Sequence, residues 1–204
     1  MIFNSIKNCQ STVIGVALLI VTTVASPVQA ITFVTDRTAL SSNDQVDWSS
    51  LGKVFNPFSP NLAAFLPNSF SAQSSLGLSV NVNIPQIQSP EITPPFVFQT
   101  SFPPNGIPTN FSNNDFLLFT GFAPGPDPAI GNPGPITITF AQPVLGAGTQ
   151  IAVDDTPQFT AFISAFDNAN NLLGTFSTPG TSSLALDNSA VFLGVLNDTP
   201  NISE

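Results

Sequence analysis

Three features of this sequence predict an all-β, antiparallel fold. Apolar and polar residues alternate with a period of two in several short stretches, and Gly, Pro, Asn and Asp cut those stretches apart. Helical spacing is scarce, with no helix long enough to build a layer. The candidate strands number about eight to ten, at the spacing expected of a sandwich or barrel.

Residues 1–30 read as a leader rather than as structure. Lys7 supplies positive charge, Val13 to Ala25 form an apolar run, and Val28-Gln29-Ala30 ends in the small residue that signal peptidase prefers. That run is short of the roughly 20 apolar residues a membrane span needs. Cleavage after Ala30 is therefore expected, leaving a mature chain with no membrane segment. Cys9 precedes the apolar run, so it is not placed to carry a lipid at the cleavage point.

Residues 31–204 are enough for a single domain with its own core. A short helix is expected near Asp36 to Ser41, with Thr35 or Asp36 as N-cap, and one helical turn at Asn61 to Leu66. Leu78, Val80, Val82 and Ile84 alternate with Ser79, Asn81 and Asn83, as a half-buried strand would. The proline-rich stretches Pro85 to Pro108 and Gly121 to Pro135 read as edge or connecting segments, because proline fixes φ and donates nothing to a ladder. The second could alternatively link two domains.

Ile136, Ile138 and Phe140 alternate with Thr137 and Thr139, which predicts the isoleucines and Phe140 inward. Phe116 to Phe119, Gln150 to Val153 and Val191 to Val195 are short apolar runs between turn signals. Phe159 to Phe166 is apolar on both faces, as a central strand covered on each side would be. A hairpin is expected from it, through the Asp/Asn turn at 167–171, into a strand at Leu172 to Phe176.

Composition excludes much chemistry. The two bases beyond residue 30, Arg37 and Lys53, stand against twelve acids, a formal charge of −10. Such a surface repels nucleic acid and anionic lipid alike. The only Cys lies in the leader, and the chain has no His and no Tyr. Without His or Cys, no Ser-His-Asp or Cys-His nucleophile can be assembled, and zinc loses its usual ligands. No carboxylate pair stands out as a glycosidase would require. The expectation is a protein that is not an enzyme.

The candidates for ligand or metal contact are few. Asp167 opens an Asp/Asn-rich segment that resembles a calcium loop but lacks the glycine at the sharp turn and the closing glutamate. Asp154-Asp155 is the only acidic pair; neighbours on a strand point to opposite faces, so a joint site needs a turn there, which Pro157 suggests. Asp154, Asp155 and Asp167 are thus the calcium candidates, weighed against a solvated strand end and a plain turn. Trp48, the sole tryptophan, could stack on a sugar ring or simply pack on the fold. The eighteen phenylalanines after the leader read as core. Asn110, Asn197 and Asn201 each begin an Asn-X-Ser/Thr triplet, expected by chance in so Asn-, Ser- and Thr-rich a chain.

Two stretches carry a family resemblance. ITFVTDRTALSSNDQVDWSSLG, from Ile31 to Gly52, and the stretch from Gly134 to Glu204, with GPITITFAQPVLGAGTQI, FTAFISAFDNANNLLGTFS and SAVFLGVLNDTPNIS, resemble secreted cyanobacterial proteins of the PEP-CTERM type. The resemblance implies a jelly-roll-like β-sandwich, export to the cell surface or beyond, and a further apolar strand after Asn201-Ile202-Ser203-Glu204. The Pro-Glu-Pro signature, apolar helix and basic cluster of the sorting tail are not in this sequence. A chain ending at Glu204 is then either truncated or released, and an open edge beside Ile31 to Val34 would favour self-association. The expected role is a surface or extracellular-matrix component; the alternative is a module binding an extracellular glycan with a structural calcium ion.

Overall fold

The computed structural model describes residues 31–85, 92–123, 130–132, 134–153 and 157–204. Twelve strands account for most of the regular structure: β1 (Thr32–Val34), β2 (Ser69–Gln73), β3 (Ser79–Asn83), β4 (Phe96–Gln99), β5 (Phe116–Phe119), β6 (Phe122–Ala123), β7 (Ile130–Gly131), β8 (Thr137–Phe140), β9 (Gly146–Ile151), β10 (Gln158–Phe166), β11 (Leu172–Thr181) and β12 (Val191–Leu196). Helix among the described residues is confined to two 3-10 turns, Trp48–Leu51 and Leu62–Ala64. Every ladder is antiparallel, in the orders β1-β12-β9, β2-β3-β8, β10-β11, β4-β5 and β6-β7. The fold is all-β.

The period-two reading of β3 holds from Val80 to Ile84, while Leu78 and Ser79 are both half-buried. Val80, Val82 and Ile84 are buried, while Asn81 and Asn83 face solvent. Val82 pairs with Ile138 and Val80 with Phe140, so those β8 side chains share the inward face, as expected. Ile136 departs from expectation: it is 39% exposed. It follows Pro135 and precedes the first ladder pair, Asn83↔Thr137, so it stands just outside the β3-β8 ladder.

Two connecting stretches are more structured than their prolines imply. Pro94 and Pro95 lead directly into β4, whose Phe96, Val97 and Phe98 are all buried. Phe55 and Phe65, from the preceding connection, stack at 5.1 Å between ring centroids, and Phe96 meets Phe55, Phe65 and Phe119 at 4.7, 5.9 and 5.0 Å. Backbone bonds from Phe55 to Val97 (2.7 Å) and from Leu66 to Pro95 (2.8 Å) hold this aromatic cluster closed. The prolines tolerate this because ladder donation begins after them. Residues 86–91, 124–129 and 133 lie outside the described residues.

The Asp36–Ser41 helix does not form. Asp36 turns its carboxylate onto the Thr38 amide (2.7 Å) and hydroxyl (2.8 Å), and isolated turns at Ala39 and Ser41 follow. This local side-chain bonding competes with a helix. Asn61 does cap a 3-10 turn at the predicted place, through Ala63 N (3.0 Å).

The hairpin forms at the predicted place, and β11 runs further than expected, to Thr181. Its strand β10 is not covered on both faces. Ala161 and Ala165 are buried, but Phe162, which points to the opposite face of the strand, is 67% exposed. Pro179 sits opposite Thr160; Ser182 N bonds to Pro157 O, so by alternation Pro179 faces away from the ladder, where its missing N–H costs nothing.

First and last strands pair, Thr32↔Leu196 through Val34↔Gly194. Phe33 of β1 stacks on Phe176 of β11 at 5.1 Å, and Val195, Ala165 and Ile202 bury together with Ile31, Phe140, Val144, Ile163, Leu173 and Phe176 around them. The β1-β12-β9 sheet and the β10-β11 hairpin thus share one core.

Candidate functional site

Trp48 begins a 3-10 turn whose N-cap is Asp47, accepting from Ser49 N at 2.9 Å. The ring is half-buried, edge-on to Phe70 of β2 at 6.5 Å. It therefore packs on the fold, with part of its surface left to solvent.

Four residues earlier, Asp44 joins two segments some thirty positions apart. Its carboxylate accepts from Ser75 Oγ at 2.8 Å, Leu76 N at 2.9 Å and Gln45 N at 2.9 Å, and from Ser74 Oγ. The Ser74 hydroxyl first, with the Ser75, Leu76 and Gln45 bonds, outweighs desolvation and holds its pKa at about 2. Ser75 N bonds to Gln45 O at 2.8 Å, and Val46 bridges Ser74. Arg37 donates to Gln45 Oε1 at 2.8 Å. Arg37, Thr38, Ser41, Ser42, Asn43, Asp44, Gln45 and Ser75 line an open crevice of about 540 Å³. It offers one cation and several hydroxyls and amides, which suits a neutral polar ligand. No local sequence pattern marks it, since the two polar runs meet through the turn of the β2-β3 hairpin.

Asp167 is a turn residue. Its Oδ1 accepts from Ala169 N (2.9 Å) and Asn171 N (2.8 Å), its Oδ2 from Asn171 Nδ2 (2.9 Å), and Asn170 adopts φ +62°. The Asn171 amide side chain, then the backbone bonds, lower its pKa. Both oxygens are occupied, so calcium would have to displace the bonds that shape the turn. Asp154 and Asp155 lie outside the described residues. Among the described residues no three metal-ligating side chains come together.

The asparagines of two of the Asn-X-Ser/Thr triplets are buried. Asn110 is 0% exposed, donating from Nδ2 to Thr181 O at 2.9 Å and accepting from Ala190 N through its backbone carbonyl, while its Oδ1 is buried without a partner. Asn197 is likewise buried. Neither can present its side chain to a glycosylating enzyme once folded. A second shallow, open depression of about 700 Å³ lies where Gln158–Thr160 and Pro179–Thr181 meet Ser189 and Val191. No protein-family model, curated protein or solved structure matches this chain.

Proposed function

We propose that this is an exported, non-catalytic protein of a cell surface or extracellular matrix. In this reading its part from Ile31 to Glu204 is a jelly-roll-like β-sandwich of the secreted PEP-CTERM type. The observation that carries the reading is how the carboxylates are used. Asp36, Asp44, Asp47, Asp115, Asp167 and Asp187 each accept a backbone N–H of their own turn. For Asp36, Asp44, Asp167 and Asp187 these bonds lower the pKa, which is opposite to what a general acid near neutrality needs. Acids committed this way specify loops, which supports the non-catalytic reading. Mature chains recovered from the medium or the cell envelope, without a bound sugar, would support the proposal.

The second reading, a glycan-binding module, is favoured by the crevice beside Asp44 and the part-exposed ring of Trp48. A glycan array run with and without calcium separates the two. Retention of a glycan that is lost in both Trp48→Ala and Arg37→Ala would assign the second reading. Calcium at about 1 mM, a range suited to extracellular modules, is expected to move the melting temperature little. A rise of about 10 °C would instead place a calcium ion in the fold.

A further inference from the structure

The chain that leaves β4 folds back on the end of that strand. Thr100 bridges Ile107, Ile107 N donates to Gln99 O (3.1 Å), and Ser101 N donates to Ile107 O (3.2 Å). A turn closes the far end, where Asn105 N donates to Phe102 O at 3.2 Å. Between these fixed points stands Asn105-Gly106, the only Asn-Gly pair in the sequence. Asn105 is exposed and Gly106 is buried. The fold demands glycine at 106, because a Cβ there would stand 2.1 Å from Gln99 O and 3.0 Å from Ser101 N, both backbone.

A carboxamide followed by glycine can be attacked by its own main chain. The next amide nitrogen closes a five-membered ring on Cγ, and glycine brings no side chain to obstruct it. In a folded chain the reaction also needs both groups unengaged. Here they are: among the described residues, neither the Gly106 N–H nor the Asn105 side chain has a hydrogen-bond partner. The Asn-Ser pairs beyond the leader are held instead. Ser189 N donates to Asp187 Oδ1 (3.1 Å), and Asn188 Oδ1 accepts from Gln150 Nε2 (3.1 Å). Asn68 is fixed by the Ile84 amide on its carbonyl (2.7 Å), and Ser69 starts β2.

We propose that Asn105 is a site of spontaneous, one-way modification that loosens the loop from Gln99 to Ile107. Gly106 N gives its proton to hydroxide and bonds to Asn105 Cγ, and the side-chain nitrogen takes up a proton and leaves as ammonia. Water then adds to one carbonyl of the resulting cyclic imide and breaks that carbon's bond to Gly106 N. Opening at Cγ leaves aspartate; opening at the main-chain carbonyl leaves isoaspartate, whose backbone is longer by one carbon. Both products add a negative charge, and neither needs an oxidant or reductant. The loop has no slack for the longer backbone, since Gly106 presses on Gln99 and both neighbours are tied. Isoaspartate at this position therefore breaks the Ile107–Gln99 and Ser101–Ile107 bonds, whereas aspartate leaves them in place.

The test ages the purified protein at mildly acid and mildly alkaline pH, folded and in urea, and maps its peptides by mass spectrometry. Two products at position 105, each heavier by NH exchanged for O, should accumulate faster at alkaline pH. Folded and unfolded protein should react at comparable rates, and Asn105→Gln should form neither product. Amide hydrogen exchange of the isoaspartate form should quicken at Ser101 and Ile107 and stay unchanged at Val82 of β3. Asn105→Asp, which adds the charge without the extra carbon, should exchange like the parent. Folded protein that stays intact while the unfolded chain reacts would overturn the proposal by showing that the loop protects the pair. Earlier reaction at Asn68 or Asn188, or unchanged exchange at Ser101 and Ile107 in the isoaspartate form, would overturn it as well.

Discussion

The Phe192 ring lies over Gly148 so closely that a Cβ built there would stand 2.5 Å from the ring's Cζ. The same atom would stand 2.8 Å from Leu193 O and 2.9 Å from Gly194 Cα, which are backbone and cannot swing aside. Gly148↔Gly194 is a ladder pair in which both positions leave room for that ring.

Gly148→Ala should therefore destabilise the domain although alanine usually favours ordered backbone. Overpacking of this kind costs about 1–3 kcal/mol. A urea titration would read it as a lower midpoint at unchanged slope. The exposed Gly131, where nothing stands within 4 Å of a built Cβ, is the control, and Gly131→Ala should leave the midpoint nearly in place.

Acid should weaken the loop that Asp44 ties. Its folded pKa is about 2, below the ordinary 3.8, chiefly through the Ser74 hydroxyl. A depressed carboxylate pKa stabilises the fold above the unfolded value, and that contribution fades as pH falls from about 4 through about 2. Asp36, Asp167 and Asp187 shift the same way and add to the trend. Asp44→Asn should melt a few degrees below the parent at neutral pH, and the two melting curves should converge as the pH drops to 2. A gap that stays constant across that range would assign the effect to shape rather than charge.

Strand identity was legible where alternation is strict and both neighbours are ordinary. Val80, Val82 and Ile84 show this, as does the hairpin around Asp167. Legibility failed where glycine or proline carries a tertiary role. The apolar run marks only Gln150 to Val153, yet the strand begins at Gly146, where Leu196 and, at Gly148, Phe192 fill the space a side chain would take. Pro94 and Pro95 hid β4, the most buried strand of the aromatic cluster. Phe162 and Ile136 look inward by composition, yet both are exposed, because which face of a strand is covered is decided by segments distant in sequence. The Asp44 crevice needed two loops to meet, and no local pattern announces that.

Register on β8 can be tested with one pair of variants. Ile138 lies opposite fully buried Val82, and Thr137 opposite exposed Asn83. Ile138→Asp places an unpaired charge against the core, and Thr137→Asp leaves one at the strand's margin. The first should cost on the order of 2 kcal/mol more than the second. Equal urea midpoints would show that β8 does not face the core in this register.

The mature chain should begin at Ile31. Val28-Gln29-Ala30 follows an apolar run too short to anchor, and Ile31 is the residue from which the chain joins the core. Its side chain packs against the Ala165, Val195 and Ile202 cluster, and its Cγ2 lies 2.7 Å from where a Gly174 Cβ would stand. A cut after Ala30 keeps Ile31 and the whole β1-β12 ladder, whereas a cut a few residues later would strip Ile31 and then β1 from β12. Intact-mass spectrometry of protein recovered from the medium checks this directly, and the expected mass is that of residues 31–204. Ala30→Phe puts a large side chain where a small one is preferred and should leave the precursor mass on the cells. Recovered protein that still carries Met1 to Ala30 would overturn the assignment of the leader, and a mass beginning beyond Val34 would show that the β1-β12 ladder is dispensable.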